Sequence, residues 1–190
     1  MRRVNIHSYN RSVHLRKAAL DTPKHGHVME FGVGAGRSLR TLRMSFAGRH
    51  IHAFDSFNGL PEDWVMTDNS TAHAGEFAYE QPKHITGIIY HAGWFKDTIP
   101  EWKTNNPGMI AFLHIDSDLY SSCKTVLEEL NRQIVPSTVI VFDEMFESIG
   151  YKNWLDGEYK AFNEWKSTYG RKTHELGRTD NGQASFRVLR

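Results

Sequence analysis

One cysteine, Cys123, occurs in a chain of 190 residues, so no disulfide can close within it. Such sparing use of cysteine fits a reducing compartment. Cys123 lies in a helical run after Tyr120, a setting that suits a packed thiol better than a nucleophile. Long apolar runs are also missing: the longest are strand-sized, far below the roughly 20 residues that cross a bilayer. The opening Met1-Arg2-Arg3-Val4-Asn5-Ile6-His7 has no apolar stretch of the kind a secretory leader needs. The expected location is therefore the cytoplasm, with no membrane partner. Neither sign of charge is in excess, with 23 Lys and Arg against 22 Asp and Glu. Beyond Arg2-Arg3 there is no basic run and no basic patch with interleaved aromatics, which argues against nucleic acid as a partner. The histidines are scattered without zinc-ligand spacing. No repeat, low-complexity tract or domain boundary is visible, so 1–190 is expected to form a single domain with a substantial core.

What is present alternates. A helix is expected over 8–20, with Val13, Arg16, Ala19 and Leu20 as a partial face. Strands are expected at Val28–Phe31, Ile51–Phe54, Gly87–Tyr90, Met109–Ile115 and Thr138–Phe142. A helix from Ser121 to Gln133 presents Val126, Leu127 and Leu130, and Pro136 closes it off. A second long helix, Gly157–Tyr169, offers Tyr159, Phe162 and Trp165 for burial. The tail holds two further strand candidates, Thr173–Leu176 and Ala184–Leu189. Strands alternating with helices imply an α/β fold with a mainly parallel sheet, here ending in an antiparallel hairpin. Residues 58–84 are polar and punctuated by Pro and Gly, and read as an excursion with one short helix, of the kind that forms lids or binding loops.

The most informative stretch is Val28 to Gly36, an apolar run followed by Glu30 and then glycines at 32, 34 and 36. A helical pattern follows, with Leu39, Leu42 and Phe46. Strand, glycine turn and helix in that order let the backbone approach a nucleotide-like ligand; the alternative is a purely structural turn. The dinucleotide fingerprint G-x-G-x-x-G would need glycine at 37, where Arg37 stands, which disfavours a nicotinamide dehydrogenase. The E-x-G-x-G-x-G turn resembles that of Rossmann-like S-adenosylmethionine (SAM) methyltransferases.

Acids recur at the expected strand ends: Glu30, Asp55, Asp116 with Asp118, and Asp143 with Glu144. Ligands of open parallel sheets bind beyond those ends. Helix capping is the competing explanation, strongest for Asp143. Asp55 stands where a carboxylate can accept ribose hydroxyls, although it also opens a turn-rich run, Asp55 to Pro61. Gly93 and Trp94 are placed to meet an adenine ring, with ordinary core packing as the alternative for Trp94. The Asp116 and Asp143-Glu144 groups should end neighbouring strands about 4.8 Å apart. At that separation they can share a hard divalent cation. Without one, crowding raises at least one carboxylate pKa, itself a route to a general base. His114 is expected to be interior and hydrogen-bonded.

Three ordered blocks carry a closer likeness: Phe54-Asp55-Ser56-Phe57-Asn58-Gly59-Leu60-Pro61-Glu62, Gly93-Trp94-Phe95-Lys96-Asp97-Thr98-Ile99-Pro100, and His114-Ile115-Asp116-Ser117-Asp118-Leu119-Tyr120-Ser121-Ser122. With the glycine turn, Asp143-Glu144 and Gly157 to Phe162, the chain resembles the macrocin O-methyltransferase family of class I SAM-dependent methyltransferases from about residue 28 onward. That resemblance implies a seven-stranded Rossmann-like fold, SAM as methyl donor, a small-molecule hydroxyl such as a sugar's as acceptor, and Mg²⁺. Carried over by position, the cofactor would meet Glu30, Phe31, Gly32, Val33, Gly34, Gly36, Ser38, Asp55, Ser56, Gly93, Trp94 and Asp116. Glu30 would stand near the methionine amino group. Asp116, Asp143 and Glu144 would hold the metal, and Asp118 beside Asp116 would be the catalytic base. The family commonly has a paired aspartate where this chain has Asp143-Glu144, and places more chain before its first strand than is seen here. A SAM-binding protein without methyl transfer and a methyltransferase of a non-hydroxyl acceptor are the competing readings. A homodimer is compatible with the sequence, which does not select an oligomeric state.

Overall fold

The computed structural model describes residues 11–190 and the backbone of Ile6–His7. Its main sheet contains β1 (Ile6–His7), β2 (His27–Phe31), β3 (Ile51–Asp55), β6 (Ile88–Ala92), β7 (Ile110–Ile115), β8 (Ile134–Phe142), β9 (Thr173–Thr179) and β10 (Ala184–Val188). A separate hairpin pairs β4 (Trp64–Thr67) with β5 (Ser70–Ala72). The sheet order is β1-β9-β10-β8-β7-β2-β3-β6. The five strands from β8 to β6 run parallel, and β10 is antiparallel to both β8 and β9. This is the expected Rossmann-like architecture of seven strands ending in an antiparallel pair, with two-residue β1 added at the edge.

Alternation along the strands sorts side chains to two helical layers. Val28, Ile51, Ala53, Phe112, Val139 and Val141 pack under α1 (Arg11–Leu20) and α2 (Arg37–Ser45). Met29, Phe31, Phe54, Leu113, Ile115, Ile140 and Phe142 face α3 (Phe95–Asn105), α4 (Tyr120–Glu129) and α5 (Glu158–Thr168). Strands buried on both faces explain why the sequence reads as apolar runs there. Cys123 is fully buried, and burial pushes its thiol up. No helix among the described residues is long and apolar enough to cross a membrane.

Four sequence expectations change. In α1 the buried residues are His14, Leu15 and Ala18, while Leu20 is 87% exposed; the helix docks on a polar-containing face that apolar spacing alone does not mark, and residues 8–10 lie outside the described ones. The excursion holds no helix among its residues but the β4–β5 hairpin, whose pairing of Thr67 with Ser70 leaves Asp68-Asn69 as a two-residue loop. Helix α3 was not anticipated because Pro100 interrupts its interior, yet Ile99 and Trp102 bury its inner face. Pro136 lies within β8, at an irregularity where the pairing steps from Ile110–Ile134 to Phe112–Val139. A proline is tolerated there because the ladder is already broken.

Candidate active site

Strands β3 and β7 leave β2 on opposite sides, so the crevice beyond the carboxyl ends of β2 and β7 is the switch point of the sheet. The glycine turn opens there. Gly32 donates to the Phe54 carbonyl at 2.9 Å, and Asp116 donates its backbone N–H to the Phe31 carbonyl at 2.8 Å. At Gly32 φ is +88°, and an added Cβ would lie 1.7 Å from the Asp116 carbonyl oxygen. Only glycine lets β2 and β7 end this close. Asp55, at the end of β3, accepts from the backbone N–H groups of Val33 and Gly34 at 2.7 and 2.8 Å through Oδ2. Its Oδ1 accepts from Phe57 N–H at 2.7 Å. Asp55 therefore shapes the turn as well as facing the space beyond it.

That space is a cavity of about 680 Å³, within the range of small-molecule sites. Gly32, Val33, Gly34, Ser38, Asp55, Ser56, Trp94, Asp116 and Asp118 line it, as the sequence proposed. Several expected cofactor residues do not. Phe31 is a core residue stacked on Phe54 with ring centroids 4.5 Å apart. Glu30 is fully buried on the α1 and α2 face, where its Oε1 lies 2.9 Å from His114 Nδ1. It is not among the residues that line the cavity. Gly36 and Gly93 are absent from the lining and act as backbone turns. Residues not proposed from sequence as site residues complete the wall: Arg11, Arg37, Leu60, Phe77, Tyr79, Lys96, Ser121 and Thr125 among them. The excursion supplies Phe77 and Tyr79, and the Tyr79 ring lies over Gly34, 3.5 Å from where a Cβ would stand.

The acids converge as anticipated, but in a different grouping. Donor oxygens of Asp116, Asp118 and Glu144 lie within 4.8 Å of one another. Asp143, expected as a third metal ligand beside Asp116 and Glu144, is instead engaged by Arg11, whose Nε donates to Asp143 Oδ1 at 2.7 Å. His114 Nε2 stands 3.7 Å from the same oxygen. The Arg11 guanidinium also pairs with Asp116. The physical reason is alternation: Asp143 follows Val141 by two and shares its sheet face with His114 and Glu30, beneath α1. Arg11 carries no motif, so sequence reasoning had nothing to identify it. Glu158, at the start of α5 and fully buried, accepts from Ser117 N–H at 3.4 Å and from Glu144 N–H at 3.1 Å. It braces the β7 and β8 end loops against each other. Its only sequence signal was an acid just after Gly157.

Electrostatics follow from this crowding. Burial pushes Asp116, Glu144 and Glu158 up, and neighbouring carboxylates add to it. Burial and the Asp143 charge raise Asp118 to about 6. Asp118 also has φ at +61°, a left-handed conformation that aims it off the β7 end. Asp143 goes the other way: burial opposes its charge, but Arg11 and the neighbouring His114 hold it below the ordinary range. His114, desolvated yet flanked by Asp143 and Glu30, is raised to about 9 and so carries a proton at neutral pH. The interior, hydrogen-bonded histidine expected from sequence is thus present, its ring set between the Glu30 and Asp143 carboxylates.

A methyltransferase-domain family model matches residues 29–145, from β2 to the loop that carries Asp143 and Glu144. The 8-demethyl-8-(2,3-dimethoxy-alpha-L-rhamnosyl)-tetracenomycin-C 4'-O-methyltransferase of Streptomyces olivaceus is 28% identical over 166 residues, covering 76% of this chain and 59% of that protein. The chain thus spans less than two thirds of that curated relative. Among solved structures, CalS11, a calicheamicin methyltransferase, superposes with a TM-score of 0.70 at 28% identity, covering 93% of this chain and 76% of the other. The O-methyltransferase NovP superposes with a TM-score of 0.68 at 19% identity, covering 95% and 80%, a likeness of fold.

Proposed function

Since the chain belongs to the methyltransferase-domain family, we propose that it transfers the methyl group of SAM to a hydroxyl of a sugar or other small molecule. The observation that carries this reading is one cavity in which the glycine turn and the Asp116–Asp118 carboxylates meet. SAM supplies an activated methyl carbon on a sulfonium, with a neutral leaving group. What the chain must add is alignment and removal of the acceptor proton, since a hydroxyl is a poor nucleophile at neutral pH. Backbone at Gly32–Gly34 and the Asp55 carboxylate suit the donor, Asp55 facing the ribose and Trp94 the adenine. In the cation-free chain Asp118 is raised to about 6, largely ionised at pH 7 yet basic enough to take the hydroxyl proton, whereas a cation bound at Asp118 would hold it ionised at lower pH. The sugar acceptor is suggested by the named activity of the Streptomyces olivaceus relative.

Asp116, Asp118 and Glu144 fit a hard divalent cation: all three offer oxygen, and Glu144 Oε2 is shut off from water without a hydrogen-bond donor. Mg²⁺ held there would polarise the acceptor hydroxyl. Asp143 is left out of this set because Arg11 and His114 engage it. The excursion, through Phe77 and Tyr79, would cover the bound ligands.

The test pairs a calorimetric SAM titration with turnover on a panel of glycosides and other hydroxylated acceptors. Binding with methylated product supports the reading. Binding with no product on any acceptor favours a SAM-binding protein without transfer, and product only on amines reassigns the acceptor. If chelator-treated protein turns over at full rate, the cation has no part in the reaction.

A further inference from the structure

We propose that Arg11 and a divalent cation are alternative partners of Asp116, so that a cation enters the carboxylate site only as the guanidinium leaves. The inference rests on the cation site read above from Asp116, Asp118 and Glu144. Arg11 opens α1 and reaches across 132 residues of sequence to Asp143, with its Nε on Asp143 and its Nη2 on Asp116. This is the fork that a planar guanidinium makes between two carboxylates. It therefore already spends one positive charge on an acid that the cation would need. Glu144 Oε2 is buried without a hydrogen-bond donor, and no Arg11 hydrogen bond reaches it. One guanidinium cannot serve all of these acids. A doubly charged ion can draw Asp116, Asp118 and Glu144 together, but at Asp116 it meets a like charge.

The competition is structural as well as electrostatic. Arg11 lines the cavity, and the contacts that hold it there also hold the first turn of α1 against the ends of β7 and β8. Loading a cation would leave Arg11 with Asp143 alone and loosen that turn beside the acceptor space. Linkage is reciprocal: if Arg11 weakens cation binding, the cation weakens the hold on Arg11 by the same factor.

The experiment is a Mn²⁺ titration of the full chain, followed by loss of the free-ion electron paramagnetic resonance signal, on wild type, Arg11→Met and Asp143→Asn. Asp143→Asn removes the anchor of Arg11 without touching a proposed ligand, and keeps the test alive if Arg11→Met does not fold. Arg11→Met should bind Mn²⁺ roughly tenfold more tightly or better, with Asp143→Asn shifted in the same direction. In wild type, hydrogen exchange at residues 11–15 should quicken on adding Mn²⁺. Equal or weaker binding by the folded variants overturns the proposal, as does absence of Mn²⁺ binding from all three proteins. Because the titration uses neither SAM nor acceptor, its outcome is independent of whether the chain transfers methyl groups.

Discussion

Asp55 uses three of the roughly four lone-pair positions of its carboxylate on backbone N–H groups, two of them in the glycine turn. One position on Oδ1 remains for a ribose hydroxyl. Asp55→Ala removes both the ribose acceptor and the tie that shapes the turn, so SAM affinity measured by calorimetry should fall about 10- to 100-fold. Unchanged affinity would remove the ribose assignment. Asp118→Asn separates chemistry from binding: turnover should drop roughly 10²- to 10⁴-fold with SAM affinity retained. In cation-free wild type, turnover should climb with pH as Asp118 ionises near 6; a flat profile between pH 5 and 7 without cation would exclude it as the base. Of these residues, Asp55 stood out in the sequence as the end of a strand before a turn, and Asp118 as an acid three residues past the end of β7. It could not separate Glu30 from the cavity, because a strand's alternation says which face a side chain takes only once the sheet's layers are known.

At the scale of elements, the parallel strands and the main helices were legible because both faces of the sheet are buried and the apolar runs are long. The misreadings share one cause: docking on surfaces that the sequence does not mark. Helix α1 buries His14 with Leu15 and Ala18, and α3 carries Pro100 inside a helix that tertiary packing sustains. The expected face of α5 is borne out in part, with Phe162 and Trp165 buried and Tyr159 partly so. Phe162 packs against Phe142 and Phe186, each at 4.8 Å between centroids. Through α5 it also seats Glu158 between the β7 and β8 loops. Phe162→Ala should therefore lower unfolding free energy by about 3–5 kcal/mol in urea titrations. Glu158→Gln should do something different, retaining much of the shape but weakening the carboxylate's grip on the Ser117 and Glu144 N–H groups. A Phe162→Ala loss below about 1 kcal/mol would mean that this contact is not closely packed in solution.

Across the whole molecule, two buried histidine sites of opposite sign should each leave their own limb in the pH dependence of stability. On the α3 face, His52 Nδ1 lies 3.1 Å from His91 Nε2, with His27 and Trp102 against the same ring. Burial, then the neighbouring histidines, lower His52 to about 4, so it is neutral in the fold where the unfolded chain would bind a proton. Stability from this site is present above about 6.5 and is lost as pH falls from there toward 4. His114 works in reverse. Its folded pKa is raised to about 9, so its contribution is complete below about 6.5 and is lost as pH rises toward 9. The raised carboxyls of Asp116 and Asp118 cost stability as pH rises from about 4, where the unfolded groups ionise, so they oppose the His52 limb below about 6, and Asp116 adds to the decline above it. Each fully coupled proton changes stability by at most about 1.4 kcal/mol per pH unit. Thermal unfolding measured from pH 4 to 9 should thus show Tm falling from neutral pH toward 9, with a shallower acid side on which His52 and the raised carboxyls oppose each other. His52→Gln should gain stability relative to wild type as pH falls from about 6.5 toward 4 and leave the alkaline limb unchanged, because the two histidine sites lie on opposite faces of the sheet. If His52→Gln keeps the full acid slope, that slope belongs to carboxylates such as Asp143, whose lowered pKa predicts loss of stability on the same side but at lower pH.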